Sequence, residues 1–175
     1  MSGITLALAL SLALPAVVLA QNPVSRSIKG QWDAAKGNLL ASADQMPEAD
    51  YAFKPVDSVR SFGAILAHVA GANYVFCAPA LGQKSPFAED HFEKNAKTKA
   101  EIVKGLRDSI AYCDKAYDAL TDQTAGEMVP VAFGSGQNAR ANGLMGNTGH
   151  LQEHYGNLVT YFRIKGMVPP SSRPQ

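Results

Sequence analysis

Thr98-Lys-Ala-Glu-Ile-Val-Lys-Gly-Leu-Arg-Asp-Ser-Ile-Ala-Tyr-Cys-Asp-Lys-Ala-Tyr-Asp-Ala-Leu120 is the stretch whose reading decides the fold class. Thr98 followed three residues later by Glu101 spells a capping box, in which hydroxyl and carboxylate each take an amide that a helix start leaves without a partner. Behind it, Ile102, Leu106, Ile110, Cys113, Tyr117 and Leu120 recur at intervals of three and four. That spacing lines apolar side chains along one seam of a helix, and such a seam has to be buried against another element.

The flanking sequence supplies further helices. On the N-terminal side, Ile28, Trp32, Ala35, Leu39 and Leu40 give the same period from about Ser25 to Ala43, and Met46-Pro47 with the polar run to Pro55 ends it. Ser61 is a candidate N-cap for a second helix carrying Ile65, Val69, Ala72, Val75 and Phe76, with Pro79 expected to stop it. Gln83 to Lys97 then reads as a charged loop. Beyond the central seam, Thr121 to Asn138 reads as a long crossover with a short extended stretch around Val129-Pro130-Val131-Ala132-Phe133. A fourth helix starts around Arg140 to Gly143 and passes through Leu144, Leu151, Leu158 and Phe162 to Gly166, a C′ glycine before Pro169-Pro170. The expected fold is all-α, a four-helix bundle with long crossover connections between helices one and two and between three and four.

The first twenty residues carry no charged side chain, run apolar from Ile4 to Leu14, and end Val18-Leu19-Ala20 before Gln21. They read as a secretory signal peptide, residues 1–20, followed by one domain over residues 21–175. The expected location is therefore outside the cytoplasm, periplasmic or secreted. A chain of 175 residues with 46% hydrophobic content suits one domain with its own core. Its formal net charge of +1, with basic residues scattered, gives no electrostatic footprint for nucleic acid or for an anionic membrane once the signal is removed.

Three of the four histidines fall inside predicted helices. His150 and His154 are one turn apart, so both imidazoles leave the same helix face about 6 Å apart, the arrangement that two metal ligands on one helix require. His68 shares its helix face with Ile65, Ala72 and Val75 and therefore points into the bundle. Two imidazole nitrogens in apolar surroundings need partners, and a metal ion satisfies one of them while an acceptor behind the ring takes the other. His68, His150 and His154 are thus the candidate ligands of one divalent transition metal, with zinc, nickel and ferrous iron all acceptable to imidazole. Three ligands leave the shell open to water or to a small-molecule substrate. Isolated core histidines that are merely hydrogen-bonded are the plainer alternative.

Asn147 and Asn157 share the ligand face and are candidates to hold an imidazole N–H or a bound water. Trp32 and Tyr74 either line the mouth or pack in the core. His91, among Glu89, Asp90 and Glu93, reads as a solvated loop residue. Glu153 lies about 100° round the helix from His154, so its adjacency in sequence does not make it a base, and no catalytic residue is identified. Cys77 and Cys113, the only cysteines, are an even pair in an exported chain. They form either a disulfide between helices two and three or two buried small hydrophobes. Cys77, two and a half turns past His68, points away from the histidine face.

The segment from Ser61 to His68 and the run His150-Leu-Gln-Glu-His154 leading into Gly166-Met-Val-Pro169-Pro170 resemble the DinB-like superfamily over about Val24 to Ser171. The resemblance implies a four-helix bundle, an open histidine triad on His68, His150 and His154, and frequent homodimers. Some members transfer low-molecular-weight thiols or use them in isomerisation. This chain departs from the pattern in its export signal, since thiol cofactors are cytoplasmic, and in Tyr155, where the family often has Arg beside the site. The resemblance leaves three readings open: a metal-dependent transferase or hydrolase, a metal-binding protein without turnover, and a structural dimeric bundle.

Overall fold

The computed structural model describes residues 22–173; the signal peptide expected over residues 1–20 lies outside them. In chain order the helices are α1 (Pro23–Gln45), α2 (Phe62–Ala80), α3 (His91–Asn95), α4 (Lys99–Ala119) and α5 (Arg140–Ile164). A short antiparallel pair, β1 (Met128–Pro130) with β2 (Gln137–Ala139), sits in the crossover before α5, with Val129 opposite Asn138. The fold is all-α, with four long helices forming the bundle.

The helix ends follow from local chemistry. Thr98 Oγ1 accepts from the Glu101 amide at 3.2 Å, and Glu101 takes the amides of Lys97 and Thr98, completing the capping box of α4. Ser61 Oγ accepts from the Ala64 amide at the start of α2. At the end of α5, Gly166 stands at φ 69°, its amide reaches the Arg163 carbonyl, and the Met167 amide reaches Phe162. That pair of bonds is a Schellman closure, which needs the left-handed conformation glycine adopts freely.

Helix α2 is the central element. Fifteen of its nineteen residues are buried, and it packs most extensively on α4 and then on α5. It is long and apolar enough by composition to cross a bilayer, yet most of it is enclosed by the bundle. Trp32, Leu39, Leu66, Leu106, Leu144, Leu151, Leu158 and Phe162 are fully buried around it. Trp32 stacks on Tyr117 with ring centroids 4.4 Å apart and donates its indole N–H to Asp114 at 2.7 Å. It belongs to the core, as does Tyr74, which packs against Phe87, Phe92 and Tyr112.

Two expectations change and one open alternative is decided. Pro79 does not stop α2 but sits inside its last turn, one residue before Ala80. Proline forfeits only one intrahelical bond there, and nothing follows that it could disrupt. Cys77 and Cys113 are joined as a disulfide between α2 and α4, with Cα atoms 5.3 Å apart. Cys77 does point away from the histidines, but that side of α2 is covered by α4, so leaving the histidine face brings it to Cys113. Finally, the charged stretch Gln83–Lys97 contains α3. Phe92 packs over Gly105 of α4, where an added Cβ would lie 2.6 Å from the ring, and the Glu89 backbone passes Gly71 of α2, where a Cβ would meet its carbonyl oxygen at 1.7 Å. Two glycines inside long helices thus make the room that seats this segment.

Candidate metal centre

His68 comes from the middle of α2, and His150 and His154 from consecutive turns of α5. The two helices run antiparallel in this region, so Arg60 meets Tyr161, His68 meets His150 and His154, and Cys77 meets Asn147 at successive levels. His68 and His154 are buried and His150 is partly so. His150 Nε2 lies 3.1 Å from His68 Nε2 and 3.0 Å from His154 Nε2. One potential ligand atom from each ring lies within 4.8 Å of the others.

Behind His68, Glu93 of α3 places Oε1 3.1 Å from Nδ1, and Glu89 stands further off at 3.7 Å. Arg60 Nε donates to the other Glu93 oxygen at 2.9 Å. With Nδ1–H directed to this carboxylate, the lone pair of His68 faces the other two rings. Burial, followed by the neighbouring His154 and His68, pushes the His150 pKa down to about 3. Burial and then His68 push that of His154 down to about 4. Both rings are therefore neutral at neutral pH, with lone pairs available.

Protons alone do not satisfy this arrangement. His150 Nε2 faces two other Nε2 atoms and has at most one proton to give, while the Nδ1 atoms of His150 and His154 are buried without a hydrogen-bond partner among the described residues. A cation accepting all three inward lone pairs resolves the crowding of the Nε2 atoms and leaves the two Nδ1 atoms as they are. With metal–nitrogen bonds of about 2.0–2.1 Å, ligand atoms are separated by about 2.9 Å at right angles and about 3.3 Å at the tetrahedral angle. The observed 3.0 and 3.1 Å for the two pairs that include His150 lie between those limits, and all three ligand atoms lie within 4.8 Å of one another, so the donor set is compatible with a transition metal.

Other predicted neighbours are placed differently. Asn147 is on the expected face, one turn before His150 and about 4.5 Å from it along the axis, but it is turned to the disulfide, with Nδ2 3.5 and 3.6 Å from the two sulfurs. Asn157 does reach the site, lining a cavity of about 490 Å³ beside His154 that also includes Arg60, Glu153, Thr160 and Tyr161. A second cavity, of about 380 Å³, lies beyond Glu93 against Tyr51 and Ile102 and includes none of the histidines. Tyr155 Oη bonds Ser171, so it pins the tail after α5 and does not shape the mouth. His91, which opens α3, rests on the Phe87 ring, with centroids 4.5 Å apart, outside the triad.

The roles of Glu93 and Arg60 do not emerge from sequence reasoning. The available signal is the interleaving of Phe87 and Phe92 with Glu89 and Glu93, together with otherwise unexplained glycines at Gly71 and Gly105.

A family model described as the DinB superfamily matches residues 31–158. Among solved structures, a DinB-like protein from Bacillus cereus is similar with a TM-score of 0.64 at 14% identity, covering 83% of this chain and 95% of that one. A mycothiol-dependent maleylpyruvate isomerase is similar with a TM-score of 0.64 at 12% identity over 77% of this chain, which spans 60% of that protein's length. A conserved protein from Enterococcus faecalis has a TM-score of 0.62 at 14% identity, covering 81% of this chain and 96% of that one. At these identities the likeness establishes a shared fold. No protein of curated function matches the chain by sequence.

Proposed function

The chain belongs to the DinB superfamily, and on that premise we propose that it is an exported protein holding one divalent transition-metal ion, zinc, nickel or iron, on His68, His150 and His154. The observation that carries this reading is the convergence of three imidazoles whose Nε2 atoms crowd to 3.0 and 3.1 Å, with Glu93 fixing the ring behind His68. The ion would supply Lewis acidity toward a substrate oxygen, or lower the pKa of water or thiol, at the positions the three histidines leave open. The chain's own residues do the rest. Glu93 holds the His68 tautomer, the bundle keeps solvent from the ligands, and the cavity beside His154 admits a small molecule.

The reaction class that follows is a metal-dependent transfer or hydrolysis. The similar isomerase is mycothiol-dependent by its description, which makes thiol chemistry one candidate for this chain. Two features support an exported location instead of a thiol-rich cytoplasm: the uncharged apolar N-terminus and the Cys77–Cys113 disulfide.

Elemental mass spectrometry on untagged mature protein, beside the His68→Ala variant, tests the reading. About one transition-metal ion per chain, lost in the variant, is the expected result. Native protein that stays empty after reconstitution with zinc, nickel and ferrous iron overturns it.

A further inference from the structure

Arg60 stands where the histidine cluster meets the cavity beside His154, and its placement is fixed from both ends. It immediately precedes the Ser61 cap of α2, and Tyr161 Oη from α5 donates to its carbonyl at 2.6 Å. Its Nε is engaged by Glu93 at 2.9 Å, and the other oxygen of Glu93 engages His68. Neither Nη group makes a hydrogen bond to another described residue, and Arg60 is among the residues that line the cavity of about 490 Å³. That volume is in the range of small-molecule sites.

Three imidazoles cancel none of the charge of a divalent ion, and the single negative charge of Glu93 is already matched by Arg60. Glu153 is the one acidic residue on the cavity wall; Asn157 and Thr160 are neutral. Glu89, 3.7 Å behind His68, and Glu153 balance the two charges a divalent ion would bring, so a ligand entering between Arg60 and His154 would meet the open side of the histidine cluster at one end and a planar two-pronged donor at the other. Guanidinium forks match carboxylates in this way, with two parallel N–H···O bonds.

Resting on the metal reading above, we propose that this cavity binds a small carboxylate-bearing ligand. Arg60 clamps one carboxylate through its Nη groups, and the far end of the ligand reaches the open position at the histidines. Arg60 is then the residue that selects anionic over neutral ligands, and Asn157 and Thr160 form the walls that set its length.

The test uses mature protein loaded with cobalt(II), whose visible absorption reports changes in its ligands, and succinate as the probe against its uncharged diamide, succinamide. Cobalt stoichiometry is measured first, on its own. The expected result is a saturable spectral change with succinate and none with succinamide. It should weaken by at least about tenfold in Arg60→Met and also in Arg60→Lys, which keeps the charge but loses the fork, and should disappear in Asn157→Phe, which fills the cavity, provided that this variant still takes one cobalt per chain. Native protein that takes no cobalt overturns the metal reading and this one with it. One cobalt per chain with no succinate response, equal response to succinamide, or unchanged succinate affinity in the Arg60 variants overturns the clamp alone. Loss of cobalt in both Arg60 variants also counts against the clamp, because it makes Arg60 a support for the histidines.

Discussion

At the scale of single residues, the three histidines were legible because helical spacing aims side chains: a four-residue interval on one helix and a histidine among inward neighbours on another suffice to bring rings together. Glu93 was not legible, because nothing local to it says that it faces His68. Its role nevertheless makes a sharp prediction. A carboxylate that holds the Nδ1–H of a ligand imidazole fixes the tautomer and raises basicity, and its removal costs about 10- to 100-fold in metal affinity. Glu93→Ala should weaken metal binding by that factor in a competition titration, and Glu93→Gln, whose amide oxygen can still accept the bond, should weaken it less. His91→Ala, on the same short helix but outside the triad, should leave it unchanged. Equal affinities in Glu93→Ala and native protein would remove the carboxylate from the account of the site.

At the scale of elements, the four long helices were legible from seams and caps, and α3 was not. Five residues make too little local hydrogen bonding to nucleate a helix alone. His91–Asn95 is helical because Phe92 sits over Gly105 and the Glu89 backbone sits over Gly71, and those contacts join parts of the chain that sequence order keeps apart. Gly71→Ala separates the competing effects. Helix propensity alone would make alanine stabilising by roughly 0.5–1 kcal/mol in a helix interior. The new Cβ, however, would lie 1.7 Å from the Glu89 carbonyl oxygen, a backbone atom that can yield only if the segment moves. Overpacking of this kind costs about 1–3 kcal/mol, so the variant should melt lower. It should also bind metal more weakly, because the displaced segment carries Glu93. A Gly71→Ala protein with native melting temperature and native metal affinity would show that the segment is not held where the structure has it.

At the scale of the whole molecule, the disulfide and the histidine cluster are separate devices on one helix. Cys77 ties α2 to α4, while His68, two and a half turns earlier, ties α2 to α5. The sequence left the bond open because it located Cys77 relative to the histidines but not relative to α4. The order of helices around α2 is a property of packing, not of any one segment. With its ends 36 positions apart, the crosslink restricts the unfolded chain by roughly 2–4 kcal/mol, and at about 2–4 °C per kcal/mol for a chain of this size that moves the melting temperature by several degrees or more. Replacing both cysteines, Cys77→Ala with Cys113→Ala, should therefore lower the metal-free melting temperature by about 5–15 °C. Metal stoichiometry at a temperature where the variant is folded should be unchanged, because the α5 side chain that reaches the sulfurs is Asn147 and not a histidine. Calorimetry with and without metal distinguishes the two devices. If they are independent, bound metal raises the melting temperature of both proteins by a similar increment, whereas loss of metal binding in the folded double variant would mean that the α2–α4 tether also sets the position of His68.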